Sequence, residues 1–333
     1  MLQSASLVDV VNKALPYKSL GDSLLPVNNN AEFMSHTNAI TVAICSQEKP
    51  VAFGSIVKCN EKQAYVMLGE VDKEFQDKTV WVEKAESDNK LNMVYNIVKS
   101  IPLVDYSGET HFEQTFANRE EKPVHLHLMD TLINNSVGLM GMDVWKNITV
   151  DFEKYENYAA WRDISGFIVA DKYLFEKLTV NRFELLSLGT EDSGLVIENA
   201  NPEKLDALFD YDAEISIYDR ENFVSSLVKT AGVSVKLAKN QGCVVGYVAS
   251  TKDNILQCYG EDEKTQRALL AAAANDMNPL VNMFARKESS PTMDQLAETA
   301  VSKTGIARMN TRVIINTIKW NKVACLNMGL HLF

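Results

Sequence analysis

The sequence is poor in glycine and proline, with 15 and 8 residues respectively among 333. Such low counts exclude collagen-like and low-complexity classes. No apolar run approaches the roughly 20 residues that a membrane-spanning helix requires. A secretory signal peptide typically has a basic segment followed by a long apolar core. The first residues do not show this pattern. We therefore expect a protein that is neither secreted nor inserted in a membrane.

Cysteine is also scarce. The five cysteines are odd in number and widely spaced, and no C-x-x-C pair occurs among them (Cys45, Cys59, Cys243, Cys258 and Cys325). A disulfide framework or a thiol-ligated metal site needs paired, closely spaced cysteines. The pattern predicts reduced thiols in the core of a cytoplasmic or nuclear protein.

Positive charge is in deficit. The chain has 33 Lys and Arg against 44 Asp and Glu, a net charge of −11. This argues against broad binding to nucleic-acid phosphates, which requires clustered basic residues. The 46% of hydrophobic and 23% of charged residues are ordinary for a globular protein, and the length favours two domains. The sequence contains no G-x-S-x-G, Walker, H-E-x-x-H or dinucleotide-binding motif.

The chain can be read as one pattern of elements written twice. In each half, the residue pattern predicts one or more helices, then three strands, a helix, a strand, a helix and two closing strands. We therefore predict an α/β (α+β) fold with two similar domains, each a mixed, mostly antiparallel sheet with helices on both faces. The predicted domains are residues 1–155 and 196–333, with a packed connector at 156–195. One continuous sheet through both halves, with a ligand cleft between them, is an open alternative.

Individual elements follow from local patterns. Apolar residues recurring from Leu91 to Ile101 predict a helix, and the alternating Val124 to Leu128 predicts a strand before a helix over residues 131–140. Asn240-Gln241-Gly242 predicts a hairpin turn. A helix is expected over residues 261–275. Another is expected from Pro291 to Lys303, ended by Gly305.

This order of elements resembles the GNAT (GCN5-related N-acetyltransferase) family, in a tandem form. The segment Glu70 to Trp81 resembles the junction between the family's fourth strand and third helix, where a valine and a polar run precede Arg/Gln-x-x-Gly-x-Gly/Ala. Weaker resemblances occur at Phe209 to Asp212, Tyr218 to Phe223 and Val245 to Tyr247. Together the two halves cover most of the chain.

The resemblance implies that this junction presents backbone amides at a helix N-terminus to the pyrophosphate of acetyl-CoA. The implied cofactor-binding residues are Val71, Gln76, Asp77, Lys78, Thr79, Val80 and Trp81. Thr79 and Trp81 replace the family's glycines and crowd the approach of a phosphate. The corresponding junction of the second half, Tyr259 to Lys264, has one glycine and three acids, and the acids favour the following helix through its dipole.

By the same resemblance, Glu70 is the candidate catalytic base for direct attack of an amine on an acyl-CoA. The acceptor would be a small amine or a protein lysine. In the family, a tyrosine that acts as the general acid precedes a Gly-Phe pair. Here the corresponding pair is Gly141-Met142 and the tyrosine position is Val137, and a valine cannot donate a proton. Tyr155 or Tyr158 are possible substitutes. A non-catalytic descendant that acts as a binding or scaffolding module is the alternative.

A metal site is a weaker hypothesis. On a strand, His125 and His127 would share one face and could bind a metal together with Asp130. No third histidine lies near in sequence, so a structural or surface role is favoured and we predict no metal. The sequence does not indicate an oligomeric state.

Overall fold

The computed structural model describes residues 39–47, 49–75, 78–84, 93–102, 122–138, 143–153, 162, 166–189 and 194–326. The strands are β1 (Ala39–Ser46), β2 (Lys49–Lys58), β3 (Gln63–Val71), β4 (Lys78–Lys84), β5 (Met93–Pro102), β6 (Lys122–Pro123), β7 (Asn147–Glu153), β8 (Val169–Ala170), β9 (Phe175–Asn181), β10 (Val196–Asn199), β11 (Ser234–Asn240), β12 (Cys243–Ser250), β13 (Ile255–Gly260), β14 (Leu280–Arg286), β15 (Ser302–Asn310) and β16 (Val323–Cys325). The helices are α1 (Val124–Ser136), α2 (Arg182–Ser187), α3 (Asp206–Ala213), α4 (Glu221–Lys229), α5 (Glu263–Ala274) and α6 (Pro291–Glu298).

The strands form two sheets. The larger sheet has the order β14-β9-β15-β7-β3-β2-β1-β5-β4-β6, with β8 paired to β15, and the smaller has the order β10-β11-β12-β13-β16. Both contain antiparallel meanders, β1-β2-β3 in the first half and β10-β11-β12-β13 in the second. Two parallel pairings, β3 with β7 and β1 with β5, make the larger sheet mixed. The predicted α/β class is confirmed.

The larger sheet is continuous across the two halves because they exchange strands. β15, from the second half, pairs with β7 of the first half. β9, from the predicted connector, pairs with β14 of the second half, and β9 and β15 pair with each other at the centre. The continuous sheet that the sequence left open therefore coexists with the tandem arrangement, and the connector contributes β8, β9 and α2 to the fold.

Three clusters of buried apolar side chains form the core. One lies between the first half's sheet and α1 and includes Val66, Leu128 and Val150. Another packs α5 and α6 of the second half against both sheets. The third contains Phe53 and Tyr65 of the first half together with Tyr211, Phe223 and Tyr247 of the second. Since this cluster is shared, neither half has a complete core of its own.

A buried ion pair lies where the halves exchange strands. Arg308 on β15 donates two hydrogen bonds of 2.7 Å to the carboxylate of Asp151 on β7, and Tyr65 on β3 donates a third of 2.7 Å. Arg308 and Asp151 are only 4% and 5% exposed, and the guanidinium lies 4.5 Å from the centre of the Phe175 ring. Burial disfavours the charged guanidinium, but attraction to Asp151 outweighs it and raises the pKa of Arg308.

A second layer of buried polar side chains continues this contact along the same three strands. Gln63 donates to Thr149 at 3.1 Å, and Thr149 donates to Asn310 at 2.7 Å. Asn147 donates to the side chain of Gln63 at 2.9 Å, while its own oxygen accepts from the backbone N–H of Arg312. Because these groups are buried, each hydrogen bond avoids a desolvation cost of about 1–3 kcal/mol.

Several predicted elements of the second half are confirmed. The β11–β12 hairpin closes at the pair Asn240 and Cys243, with Gln241 and Gly242 at φ 50° and 85° in the turn. Two central residues with positive φ are the pattern of a type I′ turn. The acids before α5 serve that helix, because the side chain of Asp262 accepts a 2.8 Å hydrogen bond from the N–H of Thr265.

Other predictions are wrong. Of the segment predicted as a helix from Leu91 to Ile101, the described residues, 93–101, belong to strand β5, which pairs with β1 and β4. β-Branched residues pack well in such a strand. Val124 to Leu128 is the start of α1; Val124 and Leu128, four residues apart, are both fully buried, a helical spacing. The helix at Pro291 ends at Glu298, and Gly305 lies inside β15.

Among the residues that the structure describes, no helix is long and apolar enough to cross a membrane.

Replacing Arg308 by Met should destabilise the protein by about 3–5 kcal/mol, because it leaves the Asp151 carboxylate buried without its partner. The double variant Asp151→Leu with Arg308→Met should recover most of this loss. Chemical unfolding of the unsubstituted protein, the single variant and the double variant measures the change in the free energy of unfolding. Lys303→Met, on an exposed residue of the same strand, is the control and should change the free energy of unfolding by less than about 0.5 kcal/mol. A loss below about 1 kcal/mol in Arg308→Met would contradict the assigned role.

Candidate functional site

Strands β3 and β7 form a wedge. They pair in parallel over four positions, from Gln63 with Asn147 to Val66 with Val150. Beyond these pairs β3 continues to Val71, paired with β2, and β7 continues to Glu153, paired with β15. Within the described ranges no strand lies between the two edges. We call this gap the first wedge; its facing backbone groups can pair with an extended ligand that carries amides.

Helix α1 begins beside β4 and β6 and packs over β1, β2 and β3 of the larger sheet. Lys122 and Pro123, immediately before the helix, pair with Val80 and Thr79 of β4, the strand that follows β3. The N-cap residue, Pro123, provides no side-chain cap, and the first turn of α1 contains no acidic residue. A helix N-terminus carries unsatisfied N–H groups and a partial positive charge, both of which favour an anion. Ligands of open α/β sheets also bind at the carboxyl ends of parallel strands.

The predicted strand-to-helix junction at Gln76 is wrong. Instead of a helix, β3 is followed by a short 3₁₀ turn (Lys73–Phe75) and then by β4. β4, β5 and β6 are inserted between β3 and α1, so the strand-to-helix connection of the first half ends at Pro123. The signal in the sequence was Pro123 followed by apolar residues at helical spacing, Val124, Leu128 and Leu132, all buried.

Of the residues predicted to bind the cofactor, four lie on β4: Lys78, Thr79, Val80 and Trp81. Gln76 and Asp77 lie outside the described residues. Thr79 and Val80 are buried and pair with β5 on one side and β6 on the other, so this stretch is a paired strand and not a phosphate-binding turn. Trp81 is 46% exposed. Lys78 forms a 3.3 Å ion pair with Glu74 and lies 4.4 Å from the Phe75 ring centre.

The candidate catalytic residues are placed in part. Glu70 lies on β3 opposite Phe53 of β2, in the part of β3 that has left β7. Val71, the last residue of β3, is buried. Val137, at the position of the family's tyrosine, is a buried residue just after α1. Gly141, Met142, Tyr155 and Tyr158 lie outside the described residues, so the general acid has no assigned residue.

The His125–His127–Asp130 arrangement does not form. Because these residues are on a helix, positions two apart point to different sides. The ring of His127 hydrogen-bonds the carbonyl of Val80 at 2.7 Å, and Asp130 accepts from Lys122 at 2.5 Å. Within the part of the chain that the structure describes, no three metal-type side chains cluster.

A buried polar cluster in the second half was missed by the sequence analysis. Asp212 on α3 accepts a hydrogen bond from Tyr247, which accepts one from Gln257 at 2.6 Å. Arg220 lies 3.1 Å from the same carboxylate. Burial raises the pKa of Asp212, opposed by Arg220. Asp212 and Arg220 both line a cavity of about 300 Å³ at the α3–α4 loop. Only the tertiary fold brings these residues together, since they come from helices and strands distant in sequence.

Comparison with known proteins gives the following relatives. Residues 23–169 match a family described as a domain of unknown function, DUF7596, and no curated protein matches the sequence. A crystal structure from Pyrococcus horikoshii, provisionally assigned as an acetyltransferase, is 13% identical and has a TM-score of 0.60; the match covers 99% of this chain and 95% of that one.

Two further structures are similar at lower TM-scores. A tandem GNAT protein from the clavulanic acid biosynthesis pathway is 10% identical, with a TM-score of 0.47, and the match covers 94% and 98% of the two chains. A GCN5-related N-acetyltransferase from Kribbella flavida is 14% identical, with a TM-score of 0.42 and 93% and 70% covered.

The similarity to the Pyrococcus protein extends over nearly the whole of both chains, and at this identity it concerns the fold alone. Together with the element order of the two halves, it confirms the predicted tandem GNAT-like fold.

The stability of α1 should depend on pH through His125. The Nε2 atom of His125 is buried, and desolvation lowers its pKa from 6.5 to about 4. Protonation therefore favours the unfolded chain. The stabilisation is complete above pH 6.5 and is lost as the pH falls toward 4, by up to roughly 3 kcal/mol.

Urea unfolding between pH 7.5 and 4.5 tests this expectation. His125→Phe should flatten the acid limb of the stability curve. Asn134→Ala, an exposed substitution on the same helix, should leave that limb unchanged. An equally steep acid limb in His125→Phe would show that other groups cause it.

Proposed function

We propose that the first half binds an acyl-CoA and transfers its acyl group to an amine. The observation that carries the proposal is the first wedge. Helix α1, which packs on the same sheet and whose N-cap residue Pro123 has no capping side chain, supports it. The edges of β3 and β7 would pair with the amides of the pantetheine arm, and the first-turn N–H groups of α1 would hold the pyrophosphate. The GNAT-like fold supports the same assignment.

The local charges are compatible with an anionic ligand. The α1 first turn has no carboxylate, and Lys122 and Lys78 lie on the paired segments beside it. Both lysines have acidic partners, Asp130 and Glu74, so the helix N-terminus itself provides the main attraction. Thr79 and Val80 would then form part of the wall beside the helix start.

The chemistry requires removal of one proton from the attacking amine. Bound acyl-CoA supplies an activated thioester carbonyl. We assign Glu70 as the base, since it lies on the part of β3 that borders the first wedge; a carboxylate at this position can take the proton as the new C–N bond forms. The thioester C–S bond would break in the same reaction, and the departing CoA thiolate would take up a proton and leave as the thiol. Direct attack needs orientation of the two substrates and no covalent enzyme intermediate.

The acceptor is proposed to be a small amine or a protein lysine. The net charge of −11 favours a cationic acceptor over an anionic one through long-range attraction. The cytoplasmic or nuclear location expected from the cysteines belongs to the same proposal.

Leu126→Glu tests the anion site. Leu126 is the third residue of α1, where a glutamate favours the helix dipole but repels a phosphate. We expect acetyl-CoA affinity to fall about five- to tenfold, while the free energy of unfolding stays the same or rises. Leu126→Gln is the control of matched shape and should retain affinity. Isothermal titration gives both dissociation constants, and equal values for the two variants would place the phosphates elsewhere.

Glu70→Gln tests the base. We expect a loss of about 10²–10⁴-fold in kcat for N-acetylation of an amine panel, with acetyl-CoA affinity retained. The loss should shrink at high pH, where the amine is already deprotonated. Glu61→Gln, at an exposed position in the turn before β3, is the control. Binding of acetyl-CoA without turnover of any amine by the unsubstituted protein would favour the non-catalytic binding module.

A further inference from the structure

The second half contains a second wedge. β13 and β14 run parallel and are bridged at their beginnings, between Asn254 and Asn282. The side chains of these two residues also hydrogen-bond at 3.1 Å. β13 continues to Gly260 and β14 to Arg286, with helix α5 following β13 directly. The arrangement corresponds to β3, β7 and α1 in the first half.

In this second wedge the chain's own strand β16 occupies the space between the two edges. β16 pairs antiparallel with β13, with Cys325 opposite Cys258 and Val323 opposite Tyr259. On the other side, the N–H of Leu326 donates a 2.7 Å hydrogen bond to the carbonyl of Phe284 on β14. All six side chains at these positions, including that of Tyr259, are buried. The backbone groups that an extended ligand would use are therefore taken.

The residues just before β16 make ion pairs, a hydrogen bond and a ring contact with neighbouring elements. The Lys322 ammonium lies 2.5 Å from the Glu261 carboxylate and 2.9 Å from that of Glu214. The carbonyl of Asn321 accepts a 3.0 Å hydrogen bond from the side chain of Gln266 on α5. Trp320 is buried, with its ring centre 5.8 Å from that of Phe175. These contacts make β16 an integral part of the second half.

The helix beside the second wedge is also closed to anions. Asp262 caps α5 by accepting from the N–H of Thr265 at 2.8 Å. Glu263, in the first turn, accepts hydrogen bonds from the backbone N–H and hydroxyl of Thr292 at 2.9 and 2.5 Å. Two carboxylates thus stand where α1 has none, and they repel a phosphate.

We infer that the chain binds one acyl-CoA, in the first half, and that β16 is a permanent internal occupant of the corresponding site in the second half. This inference rests on the proposed function. It assigns the two copies of the fold different tasks: one binds the ligand, and the other fills the corresponding space with its own backbone.

Titration calorimetry of the full chain with acetyl-CoA, with the concentration of folded protein determined independently, tests the inference. The expected stoichiometry is one. A stoichiometry of two would overturn the inference while leaving the proposed function intact, and the absence of binding by folded protein would overturn the proposed function.

Variants then locate the single site. Leu126→Glu should weaken that binding about five- to tenfold. Asp262→Ser, which keeps a capping side chain on α5 but removes its charge, should change neither the stoichiometry nor the affinity. A second binding event in Asp262→Ser, or a single site that responds to Asp262→Ser and not to Leu126→Glu, would overturn the inference.

Discussion

The buried contact between Arg308 and Asp151 is the constraint on which the arrangement of the two halves depends. An uncompensated charge in such an environment is costly, so the guanidinium, the carboxylate and the Tyr65 hydroxyl have to stay together. Because Arg308 belongs to β15 and Asp151 to β7, this requirement fixes the strand exchange. It also fixes the narrow end of the first wedge, since Asp151 is the residue after the last β3–β7 pair.

The two wedges show that the same arrangement of strands can have two different uses. Splayed parallel strands leave backbone donors and acceptors that must be satisfied by something. In the second half, β16 satisfies them and contributes Val323 and Cys325 to the core. In the first half, a ligand would take the same role. The difference is reinforced at the two helix starts, one capped by Asp262 and one preceded by Pro123 without a side-chain cap.

Local chemistry explains what could be predicted from the sequence. The turn at Gln241-Gly242 and the favourable effect of the acids at 261–263 on α5 depend on residues close together in the chain, and both were predicted, as was the tandem plan. The use of Asp262 as the cap was not predicted. The strand-to-helix junction of the first half was misplaced because β4, β5 and β6 intervene between β3 and α1. Residues 93–101, predicted as part of a helix, form a strand because they pair on both edges. The buried Asp212–Arg220 pair and the filling of the second wedge depend on tertiary contacts, which periodicity does not report.

The strand exchange has a consequence for how the protein is made. Asp151 and Arg308 are 157 positions apart, so during translation β7 leaves the ribosome long before its partner β15. Until then the first half presents an unpaired strand edge, which is a site for wrong association, and contacts of such separation form slowly. Efficient biogenesis therefore calls for a nascent chain that is shielded, by a chaperone or by slow elongation, until β15 has left the ribosome.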